Sequence, residues 1–416
     1  MIPSKYGFGT AAVAAWVCLP LSMGMLAAGQ STSKDNGGIE PKIIAAWEAA
    51  GASFGWFEPN GMYKKPSAAS SAATLPGFAF MGKFPDQGLA SLPAPSVSFG
   101  LTIFATKKLS DANLKGLGTM TRLRCLNLMF EPITDLGMKE LGSLQELQIL
   151  NVRGAAITDG SLKALAGLTQ LRQLNLMQTK VVGTGLKELA NLQKLETLDL
   201  SSAKVTDAGL IEFPVLSGLK VLVLEFNEVT DAGLKELAVL HHLHTLRVGY
   251  TLVDGTGFKD LSGLKELKVV KKEGLPVTEA GVKEIGRLRQ LEELRFSNND
   301  VTDACLEHLT ALKKLRALQL NNTRVSDKGL KSLASLESLE KLDLSASRVT
   351  GIGFRQLSPL KQLKEIHVVN THVSDLALPE LAELKQLQTL GLKGTDVTEG
   401  GLATLRTALP EVKIDR

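Results

Sequence analysis

The chain has 416 residues, of which 44% are hydrophobic, 5% aromatic and 22% charged, with 47 Lys and Arg against 43 Asp and Glu and a formal net charge of +4. Charges of both signs are interspersed rather than massed, which argues against a nucleic-acid footprint; three cysteines, Cys18, Cys125 and Cys305, are too few for a disulfide framework and odd in number. An ordinary chain of this length divides into two or three globular domains, whereas one grown by repetition escapes that limit.

Residues 1–29 read as a signal peptide or N-terminal membrane anchor. After Lys5 no charge occurs until Lys34, and Phe8 to Ala28 is an apolar stretch. A positive start, an apolar middle and small residues at Ala27 and Gly29 fit cleavage before Gln30, although the stretch is long enough to stay in a bilayer. The expected location is extracytoplasmic: secreted, periplasmic or bound to the cell envelope. Cys18 is a weak lipoprotein cysteine, because Ala15-Trp16-Val17 lacks the small residues of a lipobox.

Residues 30–98 are rich in Gly, Ala, Ser and Pro and read as a low-complexity linker and N-terminal cap, with residues 67–73 the most linker-like run. Ile43, Ile44 and Trp47 have helical spacing, and Phe54, Trp56, Phe57, Phe78, Phe80 and Phe84 are too many aromatics for a spacer. They are expected to cover the first apolar layer of the repeat array.

From residue 99 to 416 the chain repeats. Twelve leucines recur every 24 residues, from Leu123, Leu147, Leu171 and Leu195 through to Leu363 and Leu387. Within one unit, Leu195, Leu198 and Leu200 have the spacing of a short strand with one face inward. Val205 turns the chain back, Thr206 and Asp207 read as a helix cap with a carboxylate in the first turn, and Leu210, Phe213 and Leu216 mark a buried stripe for a short helix or 3₁₀ turn. Ser or Thr fills the cap position in ten of the twelve units, Val182 and Asp254 being the exceptions. A period of roughly 20 to 29 residues with an L-x-x-L-x-L core is the signature of leucine-rich repeats. One coil cannot bury its own apolar edge, but strands stacked ~4.8 Å apart share a core, and twelve span about 55 Å. The expected fold is therefore an α/β leucine-rich repeat solenoid, a horseshoe or arc with a parallel sheet on the concave face and short helices on the convex face. Degenerate repeats close it, Phe99 to Asp111 at one end and Leu409, Val412 and Ile414 at the other. The seventh repeat departs from the pattern by placing Lys272 where a buried Leu belongs, and fraying, a bulge or altered curvature is expected there.

The phrase Thr230-Asp231-Ala232-Gly233-Leu234-Lys235-Glu236-Leu237 resembles exported bacterial leucine-rich repeat proteins with T-D-A-G-L arrays, over residues 99–416. It is also similar to the cysteine-containing repeats of F-box substrate receptors, whose repeats are longer and carry Cys or Asn after the strand, where this chain has Thr179, Thr251, Asn299, Thr323 and Thr371. The resemblance implies a curved protein-binding scaffold and brings no catalytic residues. An intracellular substrate-recognition receptor is the alternative, and it requires an adaptor-binding element that is not evident upstream.

No catalytic, P-loop or dinucleotide motif occurs, so no catalytic, cofactor-binding or metal residue is assigned and no cofactor is expected. His241, His242 and His244 lack a Cys or carboxylate at ligand spacing and read as solvated surface histidines. An enzyme hidden in residues 30–98 is disfavoured because that region contains no His. The candidate binding face is the central strand column, Asn127, Asn151, Asn175, Asp199, Arg247, Lys271, Arg295, Gln319, Asp343 and His367, with Val223 and Gly391 in the same series. Arg247, Lys271 and Arg295 fall on adjacent strands and suggest either a docking patch for an acidic protein segment or a face compensated by Glu273 and Glu293. The partner expected is a protein, not nucleic acid, with membrane contact only through a retained leader. Nearer the N-terminus, Cys125, Met129, Ile149, Met177, Val221 and Val223 make the same face more apolar, suited to protein binding or to packing beneath the leader region.

Overall fold

The computed structural model describes residues 36–65, 74–106 and 109–416; the leader, Cys18 and the linker-like run 67–73 lie outside the described residues. Each coil is built outward from its strand. Two early strands, β1 (Ser53–Phe57) and β2 (Tyr63–Lys64), form a hairpin, and β1 also pairs antiparallel with β3 (Leu75–Met81). From β3 onward every strand pairs in parallel with the next: β4 (Phe99–Phe104), β5 (Leu123–Asn127), then three-residue strands every 24 residues from Ile149–Asn151 to Lys413–Asp415. All seventeen belong to one sheet. Leu126, Leu150, Leu174 and their successors as far as Leu390 lie opposite one another in unbroken register and are fully buried. The degenerate first repeat predicted at Phe99 is β4, with a register shift between Phe99 and Gly100.

Two residues after the strand's last inward side chain the backbone turns left-handed in repeat after repeat, at Phe130, Gln178, Ser202, Phe226, Tyr250, Asn298, Asn322 and Asn370 among others, with Gly154, Gly274 and Gly394 taking the position elsewhere. The next position closes the turn with a buried polar side chain: the hydroxyls of Thr179, Thr251 and Thr323 donate to the carbonyls of Leu176, Val248 and Leu320 at 2.7, 2.6 and 2.6 Å. The seventh repeat inverts this polarity. Lys272 is fully buried and its Nζ donates to the carbonyl of Leu275 at 2.7 Å. No bulge forms, because the ladder continues through Lys272 N to Arg295 O and Gly274 N to Ser297 O, both at 3.0 Å. Burial pushes the Lys272 ammonium down to about 8, with Asp231 and Asp254 opposing it.

The Thr-Asp pair does more than cap its own short helix or 3₁₀ turn. Asp303 accepts from the backbone N–H (2.8 Å) and hydroxyl (2.6 Å) of Ser326 in the following coil, and Asp111, Asp135, Asp207 and Asp375 staple Thr134, Thr158, Thr230 and Thr398 in the same way. Where valine replaces the stapled Thr and glycine the Asp after it, at Val182-Gly183, Asp159 accepts from the N–H groups of Val182, Gly183 and Gly185. The carboxylate occupies the space in front of the glycine of T-D-x-G-L: a Cβ on Gly329 would stand 2.5 Å from Asp303 Oδ1. Cys305 fills that glycine position where the preceding coil carries Glu279, whose carboxylate reaches His308 instead (3.2 Å), in keeping with a packing substitution.

The apolar core runs without a break from Ile39 to Leu409. At its N-terminal end α1 (Pro41–Ala49) places Trp47 against Phe78, ring centroids 4.3 Å apart, and Trp47 Nε1 donates to Pro93 O at 2.9 Å. Trp47, Phe78, Phe80 and Phe84 thus share one core with Phe99, the first layer of the array, while Phe57 does not belong to it. At the far end Glu399–Ala408 is the longest described helix, and the expected last strand arrives as Lys413–Asp415.

Candidate functional site on the concave face

The predicted central column is a single ladder: Asn127, Asn151, Asn175, Asp199, Val223, Arg247, Lys271, Arg295, Gln319, Asp343, His367 and Gly391 pair in register from strand to strand. Its side chains do different work. Asn127 is covered, contrary to its expected place on an open face, because the tip of the β1–β2 hairpin crosses the sheet and Gly61 O accepts from its Nδ2 at 2.7 Å. Phe57, Tyr63 and Leu75 from the same region pack on Cys125 and Ile149 as a small separate cluster. Phe57 lies over Gly77 and Gly100, where Cβ atoms would meet its ring at 2.7 and 2.5 Å. Cys125 and Ile149 are therefore covered by residues of the hairpin and of β3.

Asn151, Asn175 and Asp199 are buried and turned inward on the chain. Their oxygens accept from the N–H two residues on, at Arg153 (3.1 Å), Met177 (2.9 Å) and Ser201 (2.9 Å), donors that have left the ladder. Burial raises the Asp199 carboxyl despite the bonds from Ser201. Asp343 makes the same bond to Ser345 N at 2.9 Å while staying half-buried.

The three bases are each matched by a carboxylate. Arg247 grips Glu225 with both Nε (2.8 Å) and an Nη (2.9 Å). Glu293 serves two cations, accepting from Arg295 Nε at 2.6 Å and lying 3.4 Å from Lys271 Nζ. Burial depresses Lys271, with Arg295 and Arg247 adding repulsion. Burial also acts to raise Glu293, but Lys271 and Arg295 together outweigh it and hold the carboxyl below its ordinary value. Glu273 is pushed up by burial and by Glu225.

C-terminal to this cluster the face deepens into a hollow of about 800 Å³ whose lining includes Arg295, Gln319, Asp343 and His367, four of the predicted residues, together with Lys341 and Glu365. His367 Nε2 lies 2.7 Å from Glu365 Oε1, and Lys341 Nζ lies 2.9 Å from Oε2 of the same carboxylate. The bond from Lys341, then that from His367, lowers Glu365. Lys341 and Glu365 escaped the sequence reading because the polar columns flanking the central one carry no distinguishing motif. His242 faces Glu266 at 3.4 Å and His244 lies beside Thr245, so the histidine cluster does not converge. Among the described residues no group of three or more His, Cys, Asp or Glu side chains is placed to hold a metal ion, and no helix is long and apolar enough to cross a membrane. Cys125 and Cys305 are both buried, and Cys125 Sγ lies 3.7 Å from Gly61 O.

Residues 100–248 match the leucine-rich repeat region family and residues 311–334 match the leucine rich repeat family. Among solved structures, an internalin of Listeria monocytogenes is similar at 26% identity over 72% of this chain and 82% of its own, with a TM-score of 0.56. A leucine-rich repeat protein of Leptospira interrogans shares the fold at 20% identity over 81% of this chain and 93% of its own, with a TM-score of 0.52. No curated protein matches the chain. Coil by coil and by these likenesses, the protein is a leucine-rich repeat solenoid.

Proposed function

We propose that the protein is an exported, non-enzymatic scaffold that binds a partner protein on its concave face. The observation that carries this reading is the hollow of about 800 Å³, where polar side chains from successive strands, Arg295, Gln319, Asp343 and His367 among them, stand in register on a backbone that cannot collapse around them. Rigid elements presenting a polar, concave surface favour recognition, since little ordering is left to do on binding. Export rests on the apolar stretch Phe8 to Ala28 and the small residues before Gln30.

Affinity capture from a cell-envelope extract with the purified array, followed by Asp343→Lys and His367→Ala, tests the site: binding of the captured partner should fall, and unchanged binding would discard the hollow. Charge reversal at Arg247, Lys271 and Arg295 asks separately whether an acidic segment docks there; since Glu225 and Glu293 already answer these bases, retained binding removes the acidic-partner reading alone. Recovery of the chain in an extracytoplasmic fraction is the outcome that export requires, with a mature N-terminus at Gln30 if the leader is cleaved.

A further inference from the structure

The N-terminal third of the concave rim has a chemistry of its own. One column of outward positions carries Met81 and Phe104 at the ends of β3 and β4, and Met129, Arg153 and Met177 two residues past the ends of the next three strands; Met81 pairs with Phe104, which lies two residues beyond the Thr102–Asn127 pair. From Ser201 to Ser345 the same column holds only Ser, Glu, Gly and Asn. Met81 is 49%, Phe104 36% and, one position further on, Phe130 52% exposed, while Met62 at the hairpin tip is 40% exposed.

Phe130 is fixed rather than loose. Its φ of +60° is a left-handed backbone state that a bulky residue rarely adopts. Its ring lies against Gly154, where a Cβ would meet it at 2.6 Å, and the Arg153 guanidinium sits 4.9 Å from the ring centroid. Arg153 Nε donates to Gln178 Oε1 at 3.0 Å, but among the described residues no carboxylate forms an ion pair with it. Burial lowers its pKa, and only the more distant Asp199 opposes that.

We propose that this ridge docks an apolar helix of a partner protein that places one carboxylate on Arg153. Met, aromatic residues and Arg are what interface centres collect, while Lys and Glu, absent from these five positions, are what they shed. Methionines adapt to an apolar partner, and a pre-fixed Phe130 removes ordering cost. The charge complement of an unanswered guanidinium is a carboxylate, which it grips in two-pronged geometry. Five strands span about 20 Å, the length of three to four helical turns. A concave rim does not lie flat on a bilayer. The proposal rests on the protein-binding reading but uses a surface apart from the hollow, so the two fail separately.

The test uses the full chain and two synthetic 14-residue helical peptides with a Leu/Met stripe, identical except for Glu or Lys beside the stripe, titrated by fluorescence anisotropy. The Glu peptide should bind about tenfold more tightly than the Lys peptide, and Arg153→Gln should erase that preference. Phe104→Ser and Phe130→Asn should each weaken binding about tenfold; Asn already holds the left-handed position at Asn298, Asn322 and Asn370, so that variant keeps the turn. Asp343→Asn in the hollow should change nothing. Equal affinity of wild type and the Phe variants, no peptide binding at all, or a preference for Lys overturns the ridge. So does a result in which the Phe variants lose binding to phosphatidylglycerol vesicles but keep the peptide, which would make a lipid surface the occupant. Loss of the peptide only in Asp343→Asn would overturn the ridge while leaving the hollow standing.

Discussion

Replacing Gly329 with alanine puts a Cβ 2.5 Å from Asp303 Oδ1 and 2.9 Å from Leu306 Cδ1. The backbone itself is no obstacle, since Gly329 has φ −69° and alanine adopts it freely. What moves is the carboxylate, and with it the bonds to Ser326 N (2.8 Å) and Oγ (2.6 Å) that join two coils. Hydrogen bonds to a charged group contribute about 1.5 kcal/mol each, so their loss costs about 3 kcal/mol. Alanine returns about 0.5–1 kcal/mol of backbone entropy relative to glycine. The net destabilisation is about 2 kcal/mol, read as roughly 30-fold faster amide exchange at Ser326. Asp303→Ala alone should cost about 3 kcal/mol, and the double variant little more than that, because with the carboxylate gone alanine at 329 meets only the rotatable end of the Leu306 side chain. Additive losses in that cycle, or a Gly329→Ala variant as stable as wild type, would refute the view that the glycine exists to admit the neighbouring coil's carboxylate.

Three further outcomes rest on the same geometry. Lys272 has its folded value lowered to about 8 from an ordinary 10.5, so the unfolded chain binds more protons between those values and stability should rise across that window by about 3 kcal/mol; Lys272→Met should flatten the rise in urea midpoints measured at pH 7 and pH 10, and an unchanged slope would show the ammonium to be better solvated than it stands. Glu293→Gln leaves Lys271 and Arg295 without their shared carboxylate and should cost about 2 kcal/mol at pH 7 by thermal unfolding. Because the folded value of Glu293 lies below its ordinary one, that contribution is full above the ordinary value and is lost as pH falls through the lowered one, so wild type and variant should converge in acid. Gly61 has φ +79° and lies where a Cβ would be 3.0 Å from Ile149 Cγ2 and 3.2 Å from Cys125 Sγ, so Gly61→Leu should lift the hairpin tip. In a Cys18→Ser background Cys125 should then react faster with a thiol reagent while Cys305 stays slow, and equal rates in both backgrounds would show that the tip does not cover it.

The repeat was legible because each coil is too small to hide its pattern: Leu195, Leu198 and Leu200 had to face inward wherever the coil was placed, so a 24-residue period named the strands, the parallel sheet and the direction of the concave face. The same regularity located the central column residue by residue. It said nothing of what those side chains touch. Asn127 and Asp343 are equivalent letters in the pattern, yet one lies under Gly61 and the other lines a hollow, since a hairpin arriving from 66 residues upstream covers only one end of the sheet. Arg247, Lys271 and Arg295 looked alike as a basic run with Glu273 and Glu293 as candidate counter-charges; the stacking of coils showed Glu293 shared by Lys271 and Arg295, and Glu225, which the pattern did not single out, gripped by Arg247. The Asp-to-glycine staple was hidden for the same reason, its two halves lying about one repeat apart in sequence and meeting only when coils stack. Periodicity in the sequence decides which way a side chain points, because it is a property of the local backbone; which group answers it belongs to contacts between coils, and those exist only in the folded array.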